Sequence, residues 1–120
     1  VVGILAAIAL PNFAPMRESV LDKESNASLK LIQAAQKIYR LETGFYYPES
    51  GTIADNTTIN QKLKIMLPVA ADRKWDYRCT YTGGGTNCAD STRTTAGGGD
   101  TNKKWHLQIN ETDQSSGVCP

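Results

Sequence analysis

The first ten residues, VVGILAAIAL, contain no polar side chain, and nothing else in the chain limits its possible folds so strongly. A helix that is apolar on every side needs partners on every side. The chain has only 120 residues and 13.1 kDa, room for one domain with a small core. That core is too small to surround such a head. Ten residues are also too few to span a bilayer, which takes about 20. No initiator Met and no charged segment precede the run, so it is not a whole secretory signal, and it reads as a processed or truncated product. A membrane anchor explains the apolarity but not the many small residues. Gly3, Ala6, Ala7 and Ala9 let helices approach closely. Burial among neighbouring copies of the chain accounts for both.

A long helix is predicted after the head. Apolar or small residues recur at Met16, Val20, Leu21, Ala27, Ser28, Leu31, Ala34, Ala35, Ile38 and Leu41, at steps of three and four that suit one helical face. Arg17, Lys23, Lys30, Gln33, Lys37 and Arg40 are expected opposite, and Gly44 supplies a stop. Residues 12–43 would reach about 48 Å at 1.5 Å per residue, so part of the helix must project beyond a small body. Pro11 lacks a backbone donor and crowds the carbonyl of Ala7, while Gly3 adds backbone freedom. Together with Pro15 they predict bending or local unwinding over residues 3–15, by which a loaded subunit could lengthen. A continuous helix there in an assembled filament would count against this.

Val1–Phe13, VVGILAAIALPNF, resembles the N-terminal segment of type IV pilins and of the related type II secretion pseudopilins, through the helix-kinking Pro11-Asn12-Phe13. The helix through Leu41, with Gly44 and Tyr47-Pro48 after it, is a looser match. The resemblance implies an α+β pilin fold, a long N-terminal helix packed on a small antiparallel sheet of about three to four strands. It implies a filament-core segment at 1–15, an amphipathic helix at 16–43, a helix-to-sheet region at 44–73, and the sheet with a C-terminal loop at 74–120. Val1, Gly3, Ile4, Leu5, Ala6, Ala7, Ile8, Leu10, Pro11 and Phe13 would form the filament core. Export through the inner membrane, leader removal by a prepilin peptidase, and assembly by pilus machinery into an extracellular helical homo-oligomer follow from the same likeness. The alternatives within it are a periplasmic pseudopilin and a minor pilin that binds DNA or serves adhesion. The family's methylated aromatic terminus and nearby glutamate match no residue of this chain, so the contact they make is assigned to none.

The rest is read from local pattern. Phe45–Gly51 is a turn with an aromatic cluster, expected to pack the helix end onto the sheet. Residues 52–62 read as a polar surface loop with room for a short helical turn. Leu63–Val69 is a short apolar run, expected beneath the sheet. Lys74–Thr82 alternates Trp75, Tyr77, Cys79 and Tyr81 with polar residues, Thr86–Thr92 returns after a glycine turn, and Lys103–Asn110 alternates again. Asn56-Thr57-Thr58 and Asn110-Glu111-Thr112 fit the glycosylation sequon, a pattern too common to argue from.

Cys79, Cys88 and Cys119 have no metal-site spacing, and a structural disulfide is expected. A two-residue turn at Gly83-Gly84 places Cys79 opposite Cys88 at a closely spaced site, a feasible bridge. A three-residue turn breaks that register. The competing pair, Cys79 with Cys119, would pin the C-terminal loop as pilin-like proteins often do. The third cysteine could be free, paired between subunits, or missing its partner.

Catalytic chemistry finds no support. The two Gly-Gly-Gly tracts lack the setting that cradles phosphate, and no cofactor or metal set is predicted. Asp100, Glu111 and Asp113 could contribute to a calcium site, but nothing in the sequence sets their geometry. His106 is expected to be solvated. With 13 Lys and Arg against 12 Asp and Glu, the net charge of +1 argues against nucleic acid as a partner. Arg73, Lys74, Arg78, Arg93, Lys103 and Lys104 could still gather on one solvent face of the sheet.

Overall fold

The computed structural model describes residues 13–83, 86–95 and 103–119, with side chains from residue 19 onward apart from that of Thr86. The expectations for Val1–Asn12, including the unwinding between Gly3 and Pro11, and for Asp100 lie outside the described residues. Phe13 and Pro15 fall inside the long helix, so from Phe13 onward the backbone is helical.

The chain is α+β. Helix α1 (Phe13–Thr43) leads into strand β1 (Thr52–Ile53), helix α2 (Asn56–Leu63), and strands β2 (Trp75–Gly83), β3 (Thr86–Arg93), β4 (Lys104–Gln108) and β5 (Ser115–Ser116). The strands form one sheet in the order of the chain, β1-β2-β3-β4-β5, each pair antiparallel. Among the described residues five strands stand where three to four were expected. The two additions, β1 and β5, are two-residue edges, too short to carry an alternating pattern.

Helix α1 ends because Gly44 takes a positive φ of 88° and its N–H bonds back to the Arg40 carbonyl at 2.7 Å. Asp55 caps α2, accepting from the Thr57 N–H at 3.2 Å. The core lies between α1 and one sheet face. Leu21, Leu29 and Ile32 of α1 meet Trp75, Tyr77, Cys79, Ala89 and Leu107, and Ile59, Leu63 and Leu67 close one end. Leu29 and Ile32 are fully buried, worth about 1.5–3 kcal/mol each.

Polar side chains fasten the helix as well. The Gln36 carboxamide donates to the Tyr47 carbonyl and accepts from the Tyr47 N–H at 2.6 Å, holding the returning loop against α1. Gln33 donates to the carbonyls of Gln108, Ile109 and Glu111, the last at 2.6 Å. Ser25 shares a 2.6 Å hydrogen bond with Ser91 on β3.

Several expectations are corrected. Leu63–Val69 is only half beneath the sheet: Leu63 and Leu67 are buried, but Met66 is 92% exposed and Val69 is exposed too. The Asn60 side chain bonds both the N–H and the carbonyl of Leu67, which pins Leu67 inward and leaves Met66 turned to solvent. Asn56 of the first sequon is buried, donating to the Pro68 carbonyl and accepting from the Tyr77 N–H. His106 is half-buried, its Nδ1 lying 3.2 Å from the Gly117 carbonyl, because β5 pairs beside β4 and the chain leaving it passes His106.

The cysteine pairing is also different. Gly83 pairs with Thr86 at a φ of 87°, and an irregularity between Tyr81 and Gly83 shifts the register. Cys79 therefore faces Ala89, and Cys88 faces Thr80. A slip of one residue moves a side chain to the other sheet face. Cys79 enters the core and Cys88 faces away from α1, where it bonds Cys119. Neither Cys79–Cys88 nor Cys79–Cys119 forms, and Cys79 is the free cysteine. Burial pushes its thiol pKa up to about 12. The bridge joins residues 31 apart, which limits the unfolded chain by about 3–4 kcal/mol on the loop-entropy account.

Candidate functional site on the outward face of the long helix

Among the described residues, helix α1 buries one face against the body and leaves another largely exposed. Leu21, Ser25, Leu29, Ile32 and Gln36 are buried against the sheet. Val20, Leu31, Ile38 and Leu41 are 62%, 44%, 58% and 87% exposed, with Ala27 and Ala34 exposed between them. At about 100° per residue the outward set falls within roughly 80° of arc, roughly 160° from the centre of the buried set. The single apolar face expected from sequence is thus two faces, with Leu21, Ser28 and Ala35 on the sheet side of the outward stripe.

The outward residues step seven, four, three, four and three along the chain. That repeat, about 3.5 residues on average, is the spacing of a helix seam that meets another helix. Residue 24, which would fill the gap in the series, is Glu24. Exposed Lys23, Lys30 and Lys37 run along one side of the stripe, and Glu24 and Glu42 lie on the other. Lys30 bonds Asp113 at 3.0 Å, and with Asn26 it holds the Asp113 carboxyl below its ordinary value.

On the glutamate side the stripe opens into a groove of about 220 Å³ between α1 and the end of α2. Leu31, Ala34 and Ile38 form one wall, Leu63 and Ile65 the other, and Tyr39 its inner side. Lys64 turns the chain there with a left-handed backbone, φ 57°. Among the described residues no helix is long and apolar enough to cross a membrane.

The other sequence candidates disperse. Arg93 turns toward the helix side, its guanidinium 4.5 Å from the centre of the Trp75 ring, while Arg78 pairs with buried Asp90 on the opposite face. Lys103 bonds Asp22 at 2.8 Å, and Arg73 bonds Asp76 at 2.6 Å. The basic residues therefore share no single solvent face. Glu111 accepts from the Gln108 N–H at 3.3 Å, and among the described residues no group of three acidic, His or Cys side chains could hold a metal ion.

All six stripe residues appear in the sequence pattern, but they are merged there with the buried face. The heptad series Val20, Ala27, Ala34 and Leu41 is the signal that separates them. The chain matches no family model, no curated protein and no solved structure.

Proposed function

We propose that this chain is a structural subunit that polymerises through its long helix into a filament of the type IV pilus kind. The observation that carries the reading is the exposed heptad stripe of Val20, Ala27, Leu31, Ala34, Ile38 and Leu41 on the face of α1 turned away from the sheet. The apolar residues 1–10 extend the same need for partners toward the amino terminus. The flanks supply a direction. Parallel copies side by side would bring the lysine flank of one helix toward the Glu24 and Glu42 flank of the next. A contact between unlike flanks is heterologous, and such contacts make open helical arrays when the rotation does not close. Export through the inner membrane, assembly by pilus machinery and display outside the cell belong to this reading.

The test is to replace Leu31 and Ile38 together with Glu and image the cells by negative stain with antibody to the chain. Each buried side chain contributes about 1.5–3 kcal/mol per contact, so the double variant is expected to form no filaments while its isolated body keeps the circular dichroism of the parent. Normal filaments from the double variant would refute the assignment of this face.

A further inference from the structure

A second concave surface lies at the far end of α1 and does not depend on the filament reading. The last turn of α1, the loop after it and the outer part of the β2–β3 hairpin enclose an open cleft of about 380 Å³, within the size of small-molecule sites. Phe45, Tyr46 and Tyr81 line it, together with Arg40, Glu49 and Asn87. Phe45 and Tyr81 are 58% and 41% exposed, although Tyr39 and Tyr47 nearby pack edge to face at 5.7 Å. Internal packing therefore consumes one pair of rings and leaves the other on the cleft.

The polar groups are set in place. The Arg40 guanidinium lies 4.9 Å from the centre of the Tyr46 ring, and its Nη1 donates to the Tyr46 hydroxyl at 2.9 Å. Among the described residues its remaining N–H groups meet no acceptor. Glu49 is exposed and pairs with no cation among the described residues, leaving an acceptor. Asn87 is 3% exposed and donates to the Pro48 carbonyl at 3.0 Å, and the Tyr81 N–H bonds the Gly51 carbonyl at 2.9 Å. These two bonds tie hairpin to loop and keep the cleft walls together.

Charge selects the ligand class. A polyanion would meet Glu49, and a quaternary cation would meet Arg40. A neutral polyhydroxylated ring can use both, with hydroxyls donating to the carboxylate and accepting from the guanidinium. Its C–H face carries slight positive charge and suits the negative face of an aromatic ring. We propose that this cleft binds a neutral saccharide.

The experiment is a titration of the full chain, in a non-glycosidic detergent, with galactose, N-acetylglucosamine and lactose, followed through aromatic ¹³C–¹H NMR signals. Saturable shifts of Phe45, Tyr46 and Tyr81 are expected for at least one sugar, with a Kd of about 1 mM and little change on adding salt. Tyr81→Ala and Phe45→Ala should each weaken binding about threefold to tenfold, and Glu49→Gln about tenfold. Both rings are exposed, so either variant serves if the other fails to fold. No saturable shift with any of the three sugars, or affinity unchanged in both ring variants, overturns the proposal. So does binding at these rings by choline or oligo-dT alone. Filaments from Tyr81→Ala cells would separate failure here from failure of the assembly reading.

Discussion

Along α1, the covered face is partly polar and the open stripe is almost wholly apolar. Ser25 and Gln36 are buried at 0% and 3% exposure, while Ile38 and Leu41 stand 58% and 87% exposed. The covered face can include polar residues because each finds a partner: Ser25 bonds Ser91, and Gln36 bonds both backbone groups of Tyr47. The open stripe offers no such bonds and suits a partner that is itself apolar. Hydrophobicity alone therefore does not say which side of a helix meets its own domain. Directed hydrogen bonds mark the internal face, and unspent apolar surface marks the external one.

The largest effect that could break this contrast comes from two neighbouring leucines. Leu29→Ala opens a cavity in the core and is expected to lower stability by about 2–5 kcal/mol. Leu31→Ala, two residues on and 44% exposed, should change the stability of the isolated chain by no more than about 0.5 kcal/mol. Urea unfolding of both variants under conditions that suppress association measures the difference. Equal losses would show that the two faces do not differ in the way described.

A smaller effect tests the polar part of the covered face. Gln36→Met keeps much of the side-chain volume but leaves the Tyr47 N–H and carbonyl without their partners. The expected loss is about 1–3 kcal/mol, despite a more apolar core residue. Gln36→Met with stability equal to or above the parent would mean that packing, not hydrogen bonding, defines the internal face.

The same contrast explains what the sequence discloses. The α+β class, the long helix and the alternating strands β2 and β4 follow from periodicity, because each repeats its signal over several residues. The split of α1 into two faces is obscured because Ser25 and Gln36 do not look like core residues, whereas Leu31 and Ile38 do. The disulfide fails on a single residue of register. A tract of three glycines does not reveal which of them turns the chain, and the shift beside Gly83 sends Cys88 away from Cys79. The crossing that brings Cys119 over β3 depends on β5, a two-residue strand with no pattern of its own. In the cleft, Phe45, Tyr46 and Tyr81 are visible as aromatics, but their separation from Tyr47 is a tertiary result.

The smallest effect concerns the edge between the two faces. Lys30 flanks the outward stripe, yet it is bound to Asp113 in the segment between β4 and β5. Both side chains are largely exposed, so solvent screens the pair and its contribution is small. Its sign is nevertheless set. Lys30 and Asn26 lower the Asp113 pKa from 3.8, so the stabilisation is present above that value and disappears as pH falls through the lower folded value. Asp113→Asn should remove this acid-dependent step and release Lys30 toward the outward flank. An NMR titration of the Lys30 Nζ and Asp113 carboxyl signals in parent and variant follows both events. If Lys30 instead serves a neighbouring helix, Asp113→Asn should favour association at neutral pH. If the ion pair belongs only to the body, association should be unchanged, and the lysine flank of the stripe is then confined to Lys23 and Lys37.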